Sequence, residues 1–352
     1  MTKEWTRAVL SHPAFTGISR THLGGLIEEL AGPWVAQCES ARQERRGGKR
    51  KQRPGAGPKH DLVFTDRVLV TLVHLRHQLP HAALAELYGL ERSTVTRAIG
   101  KSRPLLAARG FAVPDRNGVR LRTLADVFAF AAAEDVTLRI DGTETQVRRP
   151  QAHRAGRRAF ISGKKKQNTC KTTTISDSQG RTLWSGASRP GRMHDQTAVR
   201  TEGIAEQFRL HPGVMAEVDE GYRGLANEFP DQISAPPRKP KQDAPLGEQY
   251  AWREMRRRQS SRRICVEHAN AEHKQWRPLQ RYTGRREHFA QTYRAIAGLV
   301  SDRASRRGTR RLASTELVLA PQPPDHPSAK PPGQRTPNSF AHDPVREMRM
   351  PT

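Results

Sequence analysis

The chain has 352 residues, with 61 Lys+Arg against 35 Asp+Glu, a formal net charge of +26 and a pI near 11.1. It can bury a real core, and its charge suits an extended polyanion above all. The longest apolar run, residues 127–133, is too short to span a bilayer, and isolated Cys38, Cys170 and Cys265 form neither a disulfide framework nor a cysteine zinc site.

With no signal-peptide apolar stretch at its N-terminus, the chain is expected to be intracellular, in a reducing compartment, with no membrane partner. Residues 1–41 place Leu23, Leu26, Ile27 and Leu30 at helical spacing and read as a helical lead-in. Residues 42–60 combine a run of like charges with Gly and Pro, the composition of a linker rather than a helix. Such a basic arm could equally lie along phosphates or in a minor groove.

Residues 61–105 read as a small all-α domain. A first helix carries Val68, Leu69, Leu72 and Leu75 and stops at Gln78-Leu79-Pro80. A short helix over 81–88 follows, then Gly89 as a left-handed stop, then a helix over 93–99. Ala85, Gly89 and Val95 have the spacing of a helix-turn-helix. Its second helix would present Arg92, Ser93, Thr94, Thr96 and Arg97, side chains suited to base edges and phosphates.

Residues 121–308 read as an α/β unit. The stripe Leu124, Val127, Phe128, Ala131 suits a helix over 121–133, after which the period changes to two. Leu138 and Ile140 mark a strand that ends on Asp141 and turns at Gly142. Basic residues, with Lys164, Lys165 and Lys166 as the densest group, line the loop that follows and suit DNA contact. Residues 172–175 and 182–184 read as a hairpin. Val214, Ala216 and Val218 mark a second strand ending on a carboxylate, Asp219. A Pro- and Lys-rich loop over 236–246 precedes a basic helix over 247–277 with a break near Ser260, and 287–308 suits a closing helix. From 309 to 352 the composition is that of a disordered tail.

A hard divalent cation needs a few carboxylates on rigid, converging elements. Two parallel neighbouring strands each ending on Asp would supply two, and a helix packed on the sheet a third. Two ions so held can activate an attacking oxygen and stabilise a leaving one at a phosphodiester.

The order IDGTE, GRMHD, VDEGYRG and R-x3-E-x6-K resembles insertion-sequence transposases of the DDE superfamily, in the branch related to Harbinger-type elements. The resemblance spans about residues 61–307. It implies a ribonuclease-H-like mixed sheet with flanking helices, preceded by the helix-turn-helix domain. Asp141, Asp219 and Glu267 then match the metal-binding catalytic acids, Arg263 and Lys274 the basic residues beside the glutamate, and His194 and Asp195 an auxiliary motif. At about 100° per residue, Arg263 and Lys274 lie within about 40° of Glu267, whereas Glu272 lies about 140° away. Glu267 is therefore the expected third acid.

The implied activity is hydrolysis and strand transfer at element ends with Mg2+, or Mn2+ in its place, and two ions. The partners would be double-stranded element-end and target DNA and further copies of the chain, in the cytoplasm on the nucleoid. Two alternatives share these features: a non-catalytic DNA-binding regulator, and a simple endonuclease with the same core. The tail after residue 308 matches nothing in the pattern.

Overall fold

The computed structural model describes residues 2–48, 60–149 and 156–306. The chain divides into two units, Met1–Gly308 and Thr309–Thr352. The second unit, expected as a disordered tail, and residues 49–59 of the expected linker lie outside the described residues.

The first unit opens with three helices, α1 (Lys3–Leu10), α2 (Pro13–Thr16) and α3 (Arg20–Arg46). Ser19 caps α3 by accepting from the His22 N–H, and Gly47 ends it in the left-handed region. Residues 42–46, expected in the linker, are therefore helix. Arg45 and Arg46 sit in the last turn, where cations suit the helix dipole, and Arg42 pairs with Glu39 at 2.6 Å.

Next come α4 (Phe64–His77), α5 (His81–Tyr88) and α6 (Arg92–Ala108). Leu84, Ala85, Tyr88, Val95, Ala98 and Ile99 pack with Val70 and Val73 into one apolar cluster. Gly89, at φ +61°, makes the left-handed turn between α5 and α6. The helix-turn-helix expected from Ala85, Gly89 and Val95 is present. Its last helix is longer than expected: α6 continues past Ile99 and through Pro104. Pro104 removes a hydrogen bond to the carbonyl four residues back, that of Gly100, which faces solvent. Burial of Leu106 and Ala107 in the main core outweighs that loss.

A hairpin not foreseen from the sequence follows, β1 (Phe111–Val113) and β2 (Arg116–Leu121). Helix α7 is Leu124–Ala133, so Leu121 ends a strand rather than starting the helix. Thr123 and Asp126 form a reciprocal capping box that fixes the start.

The main sheet holds β3 (Leu138–Val147), β4 (Thr169–Ser176), β5 (Thr182–Ser185) and β6 (Arg189–Pro190). After α8 (Asp195–Thr201) and α9 (Ile204–Leu210) come β7 (Ala216–Val218), a 3-10 turn Glu220–Tyr222, α10 (Arg223–Glu228) and β8 (Ile233–Ser234). The chain then forms α11 (Leu246–Lys274), α12 (Arg277–Gln280), β9 (Arg281–Tyr282) and α13 (Phe289–Ser305). The strand order is β5-β4-β3-β7-β8, with β6 on β4 and β9 on β3. β3 runs antiparallel to β4 and parallel to β7 and β9. A helical region followed by a mixed sheet with flanking helices is the ribonuclease-H-like α/β arrangement that the sequence led us to expect.

Two element-level expectations change. Asp141 does not end a strand: β3 continues for six residues beyond it, and Gly142 is a strand residue rather than a turn. The β-branched residues Thr143, Thr145 and Val147 favour that continuation. Helix α11 has no break at Ser260. Among the described residues no helix is long and apolar enough to cross a membrane.

Candidate metal centre and nucleic-acid interface

Side chains alternate across a strand, so Arg139, Asp141 and Thr143 share one face of β3 and Ile140, Gly142 and Glu144 the other. The first face meets α11. Asn270 Nδ2 donates to Asp141 Oδ2 at 2.8 Å, and Thr143 Oγ1 donates to Asn270 Oδ1 at 2.9 Å, which fixes the amide's orientation. The β3–β7 register pairs Ile140 with Val218, so Asp141 and Asp219 are the next residues on parallel neighbours. Asp219 leaves the strand to cap the 3-10 turn, accepting from the Gly221 N–H at 2.8 Å.

One guanidinium faces both acids: an Arg263 nitrogen lies 3.5 Å from Asp141 and 4.0 Å from Asp219. Burial pushes the Asp141 carboxyl above its ordinary pKa, although Arg263 and Asn270 pull it down, and the neighbouring Asp219 charge adds to the rise. This pair of hard oxygen donors around a positive charge fits a divalent cation that keeps several of its waters. A three-ligand cage is not formed: among the described residues no group of three His, Cys, Asp or Glu could hold a metal ion.

The expected third acid, Glu267, is exposed on α11, one turn beyond Arg263 and three residues before Asn270. At 3.6 residues per turn, all three share the helix face turned to the aspartates. Glu272 lies elsewhere, 3.7 Å from Arg303 of α13. Lys274 ends α11, exposed, and no contact joins it to the carboxylates. His273 is buried and stacked on Tyr293.

The other face of β3 holds a second set of charges. Asp195 lies 2.6 Å from Lys171, which is also 3.6 Å from Glu144. Glu144 is thus half-buried and paired. His194 caps α8 by accepting from the Gln196 N–H at 3.3 Å, a structural role, and Asp195 is the first helical residue. Gly142 lets these groups approach: a Cβ there would come 2.8 Å from the Tyr222 hydroxyl and 3.1 Å from Asp195. The Tyr222 hydroxyl is buried and lacks a hydrogen-bond partner among the described residues. Burial, and then Asp195, Asp141 and Asp219, hold its pKa well above the ordinary value, so it stays a neutral donor.

Sequence reasoning missed Asn270, Tyr222 and Lys171. Tyr222 could have been singled out, since it follows Asp219 in the same motif. Asn270 was visible as the residue seven after Arg263, on the same helical face. Lys171 depends on strand pairing opposite Glu144, which no local signal gives.

On the helix-turn-helix, Arg92, Ser93, Thr96 and Arg97 are exposed at the start of α6, while Thr94 is half-buried. Lys164, Lys165 and Lys166 are exposed in the loop before β4, and Lys165 donates to the Glu144 carbonyl at 3.0 Å.

Residues 140–301 match a family model described as DDE superfamily endonuclease, and residues 60–112 match the helix-turn-helix of DDE superfamily endonuclease. No curated protein matches. Among solved structures, a crystal structure of a pre-cleavage Mos1 transpososome is similar over 87% of this chain and 97% of that one, at 12% identity. Its TM-score of 0.17 is too low to support a likeness of fold. On the two family matches, the chain is similar over residues 60–112 to the helix-turn-helix, and over residues 140–301 to the endonuclease region, of DDE superfamily endonucleases.

Proposed function

We propose that this protein is a transposase that cuts DNA phosphodiesters, and joins the resulting ends to new DNA, with a divalent cation held by Asp141 and Asp219. The observation that carries the reading is the pair itself. Two acids 78 residues apart in sequence, Asp141 within β3 and Asp219 just past the end of parallel β7, share one cation, Arg263. A cation there, Mg2+ or Mn2+, would polarise the phosphate and lower the pKa of a bound water.

The chain's own groups do the rest. Thr143 and Asn270 hold one Asp141 oxygen in place, which leaves the other for the cation. Arg263 is placed to exchange the aspartates for phosphate oxygens as DNA arrives, since its planar fork matches them. Glu267 joins from the same face of α11, and a two-ion arrangement would depend on that step. Asp195, paired with Lys171, approaches Asp219 across Gly221 and acts as a positioning residue.

The helix-turn-helix of residues 61–105, through Arg92, Ser93, Thr94, Thr96 and Arg97, selects element ends for the catalytic region 121–308. Lys164, Lys165, Lys166 and Lys274 contact the DNA backbone. Cutting two ends together calls for a dimer or larger assembly on DNA.

A second reading has its own support. Because Arg263 fills the space between the aspartates and Glu267 stands apart, the chain could instead bind DNA without cutting it. Nicking of supercoiled plasmid with Mn2+ separates the two. Asp141→Asn and Asp219→Asn should each lower the nicking rate by at least about 100-fold, and Glu267→Gln likewise, with DNA binding retained. Absence of nicking by the wild-type chain would favour the non-catalytic reading, and nicking without joining the simple endonuclease.

A further inference from the structure

We propose that the N-terminal half of α11, together with the loop before it, is an arm that grips the DNA backbone beside the cleavage site. The inference rests on the reading that DNA is the substrate. Of the 29 residues in α11, only Val266, Ala269 and His273 are buried, all in the C-terminal half. Over residues 246–263 there are six Arg against two Glu.

Several of these arginines already have partners: Arg258 pairs with Glu254, Arg262 with Glu217, and Arg263 with the aspartates. Arg253, Arg256 and Arg257 are exposed, and no carboxylate pairs with any of them among the described residues. At about 100° per residue the three fall in an arc of roughly 100°, and Glu267 lies within that arc. The unpaired charge is thus on the side of the helix that passes the candidate metal centre. Along the axis, Arg253 to Arg263 spans about 15 Å at 1.5 Å per residue. That length covers about four phosphates of one strand at 3.4 Å per nucleotide.

A second element adds to the same surface. The Trp252 Nε1–H donates to the Pro237 carbonyl at 3.2 Å, tying the loop to the arm, and the adjoining Arg238, Lys239 and Lys241 are exposed. Arg256 lies over the Trp252 ring, 5.9 Å from its centroid. The apolar groups exposed nearby, Leu246 and Tyr250, could instead meet a second copy of the chain. The uncompensated positive charge favours a polyanion over a copy that carries the same charge.

The test compares the full-length chain with Arg253→Ala/Arg256→Ala/Arg257→Ala and with the matching triple Lys variant. Affinity for a 40-base-pair duplex of arbitrary sequence is measured by fluorescence anisotropy across a salt series, with EDTA present. Each lost phosphate contact flattens the slope of log K against log salt by about 0.9. The Ala triple should flatten it by roughly 2 to 3, and the Lys triple should keep the wild-type slope. An unchanged slope in the Ala triple overturns the proposal. So does loss of a dimer in light scattering with the slope unchanged, which would assign the surface to a second copy. Failure of the nuclease reading shows separately, as Mn2+-dependent nicking that survives in Asp141→Asn.

Discussion

Asp141 is held by more groups than any other acid at the site, and its neighbours make distinct predictions. Asn270→Ala removes the amide that fixes one of its oxygens. Loss of such an outer partner costs a metal site about 10- to 100-fold, so Mn2+-dependent nicking should fall by that factor while duplex affinity stays the same. Gly142 sits where three elements meet, and Gly142→Ala pushes a methyl group towards the Tyr222 hydroxyl and Asp195. Overpacking of that kind costs about 1–3 kcal/mol, measurable by urea denaturation. A neutral result would mean that Tyr222 moves aside freely.

At the scale of elements, α8 starts at Asp195 and is capped at its C-terminal end by Glu202. Glu202 is buried against Gly186, with Arg189 3.9 Å away, and burial pushes its carboxyl up to about 7. Its folded pKa exceeds the ordinary 4.5, so the native state binds the extra proton between those two values. Stability from this group is full below about pH 4.5 and is lost as pH rises through about 7. At 1.36 kcal/mol per unit, the loss is at most about 3 kcal/mol. Glu202→Gln should therefore flatten the denaturation profile between pH 5 and 8 and raise stability at pH 8. An unchanged profile would place the titration elsewhere.

Elements also show what the sequence could and could not convey. The alternation of Leu138 and Ile140, and of Ala216 and Val218, was enough to find the two strands that carry Asp141 and lead into Asp219, because burial of one face enforces a period of two. Gly89 marked its turn for an equally local reason. The lengths of α6 and α11 were not legible. Pro104 and Ser260 are local stop signals, and the continuations past them depend on partners distant in sequence. For α6 the partners are those that cover Leu106 and Ala107; for α11 they are the β3 groups Arg139, Asp141 and Thr143. Of the candidate site, the acids were legible as a pattern. The position of Arg263 between them, Lys171 opposite Glu144, and the exposure of Glu267 were not.

At the scale of the whole first unit, one buried charge cluster braces its helical and α/β parts. Asp302 of α13 meets His22 of α3 at 3.0 Å, Arg109 at 2.8 Å just after α6, and Arg120 of β2; Arg109 also meets Glu29 at 2.6 Å. Burial alone would raise the Asp302 pKa, yet His22, Arg109 and Arg120 together hold it far below the usual carboxylate range. A depressed carboxyl stabilises the fold above its unfolded value, near 3.9, and that contribution is lost as pH falls through the folded value. Asp302→Asn leaves two arginines short of a counter-charge, and breaking such a buried pair costs about 3–5 kcal/mol. Urea denaturation at pH 7 should show that loss, and a change under about 1 kcal/mol would mean that Glu29 alone satisfies the arginines.

The same brace fixes the helix-turn-helix, through α6, relative to the sheet that carries Asp141. On the proposed function, DNA bound at the start of α6 would be presented to the Asp141 site at a set distance, and that site would have to hold a cation. Manganese binding in the absence of DNA, followed by the loss of the free-ion paramagnetic resonance signal, tests that condition without relying on catalysis. The wild-type chain should show a saturable Mn2+ site, which Asp141→Asn and Asp219→Asn abolish and Asp195→Asn retains. Equal Mn2+ binding by all four proteins would contradict a cation centre between Asp141 and Asp219.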